Sequence, residues 1–145
     1  MPLAYLFDLD GTLYQNDAAL PGAVDLIRKL NTQGVPCRFL TNTTSRPRSV
    51  IVARLKSYGF PVVEHEVFTA LLAGAELARS LGCRTLLPLV KSEALEDLAG
   101  FELVDGTSVG QGRPPDHADA VLVGDLSDGW SFDLLQQAFT ALLNG

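Results

Sequence analysis

The chain has 145 residues, 47% of them hydrophobic and 19% charged, a globular composition that excludes disorder, at a length able to bury a substantial core. Its formal net charge of −6, from 11 basic and 17 acidic residues, argues against nucleic acid, which calls for a basic stripe. No apolar run approaches the roughly 20 residues of a membrane-spanning helix, and no basic–apolar–small leader opens the chain, so a cytoplasmic protein without a membrane partner is expected.

Strand and helix signals alternate. Leu3–Phe7 is a short apolar run, consistent with a buried parallel strand. Ala23, Leu26, Ile27 and Leu30 share one helical face, and Gly34 ends that helix. Pro36–Leu40 is a second strand. A helix follows from Ser45-Arg46-Pro47, with Pro47 near its first position, Ile51, Leu55 and Tyr58 along it, and Gly59 after it. Val67–Thr69 is a third strand, and Leu71–Leu81 a helix ended by Gly82. The pattern then restarts: strand Thr85–Leu89, helix Ser92–Leu98, strand Phe101–Val104, a Gly- and Pro-rich loop over 105–117, and strand Val121–Val123. Ser131 is the expected cap of a last helix whose face is Leu135, Ala138, Phe139 and Leu142. This order predicts an α/β fold with parallel strands and right-handed crossovers.

Two strand ends carry chemistry. The first strand runs into Asp8-Leu9-Asp10-Gly11-Thr12. Residues i and i+2 of a strand point the same way, so both carboxylates begin on one side, at the carboxyl end, where open α/β sheets bind ligands. Two such charges repel unless a cation lies between them. The simplest reading is a Mg²⁺ site that handles phosphate, with Asp8 as nucleophile and Asp10 as general acid and base. The competing reading of Asp-x-Asp-Gly is a turn after a strand. The second strand ends in Thr41-Asn42 before a helix start, where a hydroxyl and backbone N–H groups suit a phosphate oxygen; the competing reading is a helix cap. Gly11 fits a turn needing an unusual backbone angle, and Thr12 a brace for that turn.

These segments resemble the haloacid dehalogenase superfamily of phosphotransferases. Asp8-Leu-Asp-Gly-Thr-Leu13 resembles its first motif and Phe39-Leu-Thr-Asn42 its second. Glu66-Val-Phe-Thr-Ala70, Arg84-Thr-Leu-Leu-Pro-Leu89, Val121-Leu-Val-Gly124 and Trp130–Phe139 resemble subclass IIA, which has a large α/β cap after the second motif. That subclass includes the nitrophenyl, pyridoxal phosphate and phospholysine phosphohistidine inorganic pyrophosphate phosphatases. The resemblance implies an incomplete Rossmann-like parallel-sheet core over 1–82, holding both motifs, and part of an inserted α/β cap over 83–145. It implies Mg²⁺ bound by the Asp8 side chain and the Asp10 backbone carbonyl, an aspartyl-phosphate on Asp8, and a small phosphorylated metabolite as substrate. Family members continue beyond this length through a lysine motif and an acidic motif. The chain is therefore expected to be the amino-terminal part of such a protein, weak or inactive by itself.

Val121-Leu-Val-Gly-Asp-Leu-Ser-Asp128 imitates the acidic motif, which would make Asp125 and Asp128 metal ligands of a capless enzyme. The short gap between them, the cap-like Trp130–Phe139 segment after them, and Lys91 as the one lysine between the second motif's helix and Asp125 argue against it. Cys37 and Cys83 are expected as buried free thiols in a reducing compartment. His65 and His117 are expected at the surface, Arg46 and Arg48 at a solvated helix start, and Trp130 in cap packing. A non-catalytic fragment that binds phosphate or a partner, including a second copy through an open sheet edge, is the alternative.

Overall fold

The structure, a computed structural model, describes residues 4–104 and 118–144. The chain divides into two compact units, Met1–Ala70 and Leu71–Gly145.

In the first unit, strands β1 (Tyr5–Asp8), β4 (Cys37–Thr41) and β5 (Val67–Thr69) form a parallel sheet in the order β1-β4-β5. Between β1 and β4 lie a two-stranded antiparallel hairpin, β2 (Tyr14–Gln15) and β3 (Ala18–Ala19), and helix α1 (Ala23–Thr32). Helix α2 (Arg48–Ser57) and a 3-10 turn at Glu64–Glu66 connect β4 to β5. In-register residues of parallel strands share a face, so Cys37, Phe39, Val67 and Thr69 lie on one side of the sheet. All four are buried. The three apolar ones pack with Ile27 and Leu30 of α1 and Ile51, Val52 and Leu55 of α2. On the other face Leu6, Leu40 and Phe68 are 69%, 39% and 45% exposed. Parallel sheets ordinarily have both faces covered; among the described residues the buried cluster of this unit lies on one face.

In the second unit, α3 (Ala70–Ser80) precedes β6 (Thr85–Leu89), a 3-10 helix (Ser92–Leu98), β7 (Glu102–Leu103), β8 (Ala120–Val123) and α4 (Phe132–Asn144). The parallel strand order is β7-β6-β8. Leu71 and Ala75 of α3 pack with Val90, Ala94 and Leu98. Leu71, the first residue of the second compact unit, belongs to this packing. Asp119 sets the register of β8: its Oδ2 accepts the N–H groups of Arg84 (2.6 Å) and Thr85 (2.8 Å), and its own N–H donates to the Thr85 carbonyl at 3.1 Å.

The helix expected over Ser92–Leu98 is present with those bounds and is of the 3-10 type; seven residues pay the nucleation cost for few α-type bonds. Several expectations are corrected. Ser131 does cap α4, its Oγ accepting the Leu134 N–H at 3.2 Å. However, the buried row of α4 is Gln137, Ala138 and Ala141, while Leu135, Phe139 and Leu142 are exposed. The alanines let the helix lie close over Leu87 and Leu89, which turns the larger side chains outward. Trp130 is likewise exposed rather than packed, and Cys83 is only half-buried. Leu3, the 105–117 segment and His117 lie outside the described residues.

Candidate active site

The loop after β1 is tied down by its apolar residues. Leu9, fully buried, sits between the exposed Asp8 and Asp10, and Leu13 is buried beyond them. The alternation that sends Leu9 into the core leaves both acids facing out. The Leu9 carbonyl accepts the N–H groups of Thr12 (3.2 Å), Leu13 (2.9 Å) and Tyr14 (3.3 Å), and the Gly11 N–H donates to the Tyr14 carbonyl at 2.8 Å. Gly11 makes this wrap with φ +74°, the left-handed region that glycine enters without strain. The Thr12 hydroxyl donates to Asp8 Oδ2 at 3.2 Å, so the residue expected to brace the turn also holds one of the two carboxylates.

Asp8 is in register with Leu40 on the neighbouring parallel strand. Thr41 therefore lies one residue past Asp8's partner, at the same end of the sheet. Thr41 is half-buried, and its Oγ1 is 2.9 Å from the Thr43 hydroxyl and accepts the Thr43 N–H at 3.3 Å. With Thr43 as donor, the Thr41 proton stays available for an incoming oxygen. Asn42 is exposed. Pro47 is the N-cap of α2, one position earlier than a first helical residue. Arg46 is exposed, whereas Arg48 pairs with Glu64 at 3.1 Å.

A cluster the sequence reading passed over adjoins this loop. Arg54 of α2 places its guanidinium 4.9 Å from the Tyr14 ring centre and 5.6 Å from that of Tyr58. Its Nε donates to the Tyr58 hydroxyl at 2.7 Å, and its Nη2 to the Asn16 carbonyl at 2.6 Å and Asp17 Oδ1 at 3.3 Å. Burial, then the negative charge of Asp10, pushes the Tyr14 hydroxyl above its ordinary value, with Arg54 pulling the other way. The available signal was Asn16-Asp17, a two-residue turn between short runs.

The donor set of the β1 end is two carboxylates and backbone carbonyls, all hard oxygen ligands. Such a set fits Mg²⁺, which binds through one or two carboxylates and keeps several waters. Among the described residues no group of three or more His, Cys, Asp or Glu side chains could hold a metal. Asp125 Oδ1 accepts the Ser127 N–H at 2.7 Å and its hydroxyl at 3.2 Å, a turn-forming use of that carboxylate. Asp128 and His65 are exposed.

Residues 5–103 match the family described as haloacid dehalogenase-like hydrolase. The chain is 37% identical over 142 residues to haloacid dehalogenase-like hydrolase domain-containing protein 2 of Bos taurus, covering 98% of this chain and 50% of that protein. It is 30% identical over 146 residues to phospholysine phosphohistidine inorganic pyrophosphate phosphatase of Xenopus laevis, covering 97% and 49%. Among solved structures, p-nitrophenyl phosphatase from Archaeoglobus fulgidus superposes with a TM-score of 0.78 at 26% identity, covering 98% of this chain and 51% of that one. The chain thus spans about half the length of the curated relatives it matches. No helix among the described residues is long and apolar enough to cross a membrane. A family match over most of the chain, and the same α/β architecture in a solved phosphatase, place this protein in the haloacid dehalogenase-like hydrolase family.

Proposed function

We propose that the chain carries the nucleophile-bearing part of a Mg²⁺-dependent phosphatase for small phosphorylated metabolites, working through an aspartyl-phosphate on Asp8. One observation carries the reading: exposed Asp8 ends β1 with exposed Asp10 two residues on, and Thr41 ends the adjacent parallel strand one residue past Asp8's register partner. Phosphatase relatives of similar sequence support the reaction class.

The Asp8 side chain and the Asp10 carbonyl would hold Mg²⁺, which when bound offsets charge between a carboxylate and a phosphate dianion. Thr12 holds one Asp8 oxygen through its hydroxyl, which leaves the other to attack phosphorus. As the new O–P bond forms, the ester O–P bond breaks, and Asp10 protonates the leaving oxygen. Asp10 then takes a proton from water, whose oxygen attacks phosphorus. The Asp8–phosphorus bond breaks, inorganic phosphate leaves, and the Asp8 carboxylate is restored. The Thr41 hydroxyl and the Asn42 N–H hold a phosphate oxygen throughout.

One carboxylate and one backbone carbonyl would leave the cation mostly water-bound, so the isolated chain is expected to turn over slowly. The test is hydrolysis of an aryl phosphate by the 145-residue chain with and without Mg²⁺. Slow, Mg²⁺-dependent turnover lost in both Asp8→Asn and Asp10→Asn is the expected result. Turnover that survives Asp8→Asn would end the proposal. A second reading, a fragment that binds phosphate or a partner without catalysis, is favoured by the exposure of Leu6, Leu40 and Phe68 among the described residues. Phosphate binding with no turnover under any condition would favour it.

A further inference from the structure

We propose that Arg54 is a positioning residue for the Asp10 loop, acting through the β2–β3 hairpin; the proposal rests on the phosphatase reading above. A hairpin of two-residue strands is not stable alone in water, so what fixes it must come from elsewhere in the fold. Arg54 supplies that from α2. One guanidinium lies against the Tyr14 and Tyr58 rings and donates to the Asn16 carbonyl at the hairpin turn. Asn16 has φ +56°, a left-handed residue whose carbonyl direction the hydrogen bond helps to set.

The hairpin in turn closes the loop. Tyr14 bridges to Asp10, its carbonyl accepts the Gly11 N–H, and its N–H donates to Leu9. A shift of Tyr14 therefore displaces the backbone between Asp8 and Thr12, including the Asp10 carbonyl assigned to the cation. Because α2 follows directly on Thr41 and Asn42 (through 43–47), the same arginine links the loop bearing the acids to the helix after the loop bearing Thr41. A lysine has no planar fork to span both rings and the carbonyl together.

The test uses the 145-residue chain, with amide exchange and an Mg²⁺ titration followed by the amide signals of Asp10 and Thr12. In Arg54→Ala the Gly11, Leu13 and Tyr14 amides should exchange about tenfold faster or more, with β4 unchanged. The Mg²⁺ concentration giving half the shift at Asp10 should rise several-fold, and Arg54→Lys should recover only part of both losses. An unchanged Gly11–Tyr14 stretch, or a uniform rise that includes β4, overturns the proposal. Should Arg54→Ala not fold, Tyr58→Phe, which removes the Nε acceptor and the long 3.5 Å bond from the Tyr58 hydroxyl to the Asn16 carbonyl but keeps the Arg54 bond to that carbonyl, should give a smaller change confined to the same amides; no local change overturns the proposal equally. A wild-type loop that ignores Mg²⁺ removes the phosphatase reading, while the exchange pattern still decides the clamp.

Discussion

Thr12 gives its hydroxyl proton to Asp8 across 3.2 Å, so the turn that follows the first carboxylate also orients it. Thr12→Val keeps the shape and removes the donor. A hydrogen bond of this kind contributes about 1 kcal/mol, which corresponds to roughly fivefold in rate. We expect aryl phosphate turnover to fall by about that factor, and Thr12→Ser to retain most of it. Steady-state rates in saturating Mg²⁺ measure both.

Gly11 has φ +74°, and a Cβ placed there would meet nothing within 4 Å. The cost of Gly11→Ala is therefore backbone strain alone, about 1–2 kcal/mol. Urea unfolding should show a lower midpoint with an unchanged slope. A stability equal to wild type would mean that the turn relaxes to another conformation.

Alkaline pH should destabilise the first unit. Burial, followed by the charge of Asp10, raises the Tyr14 hydroxyl above its ordinary 10.0, and burial, followed by Glu66, raises the Cys37 thiol above 9.0. The unfolded chain then loses these protons first as pH rises, so the folded state binds more protons and stability falls with pH. The contribution is intact below about pH 9 and is lost as pH climbs through the raised values. Urea midpoints across that range should decline, and Tyr14→Phe should flatten part of the decline. Asp10→Asn should move the ultraviolet titration of Tyr14 downward.

Leu6 lies 69% exposed on β1, a strand paired only with β4 among the described residues. An apolar face beside an open edge favours association between copies. Sedimentation of the 145-residue chain should show concentration-dependent association, reduced by Leu6→Lys without a loss of thermal stability. An ideal monomer for the unaltered chain would remove this expectation.

The long elements were legible because their patterns repeat. Val67–Thr69 and Thr85–Leu89 match the expected strands at both ends. The helices predicted from the Ala23, Leu26, Ile27, Leu30 face and the Ile51, Leu55, Tyr58 face are present, with Ala23, Ile27, Leu30, Ile51 and Leu55 buried, Tyr58 half-buried and Leu26 exposed. The hairpin was missed because strands of two residues have no period to read. The face of α4 was misjudged because hydrophobicity favours Leu135 and Phe139, whereas close packing on a sheet selected Ala138 and Ala141. At the site, Asp8, Asp10 and Thr41 stood out as polar residues at strand ends. Arg54 did not: an arginine on a helix looks like a solvated charge until the fold brings Tyr14 beneath it.

Asp119 has a consequence for how the second unit can vary. One carboxylate receives two successive amides at the start of β6, and the adjoining main chain returns a bond to Thr85. Alignment of β8 is thus decided locally, at its first residues, and not by the length of polypeptide that leads to it. Segments of different size could be grafted ahead of that aspartate while the strand still docks in the same frame, much as a key cut at its tip tolerates any handle.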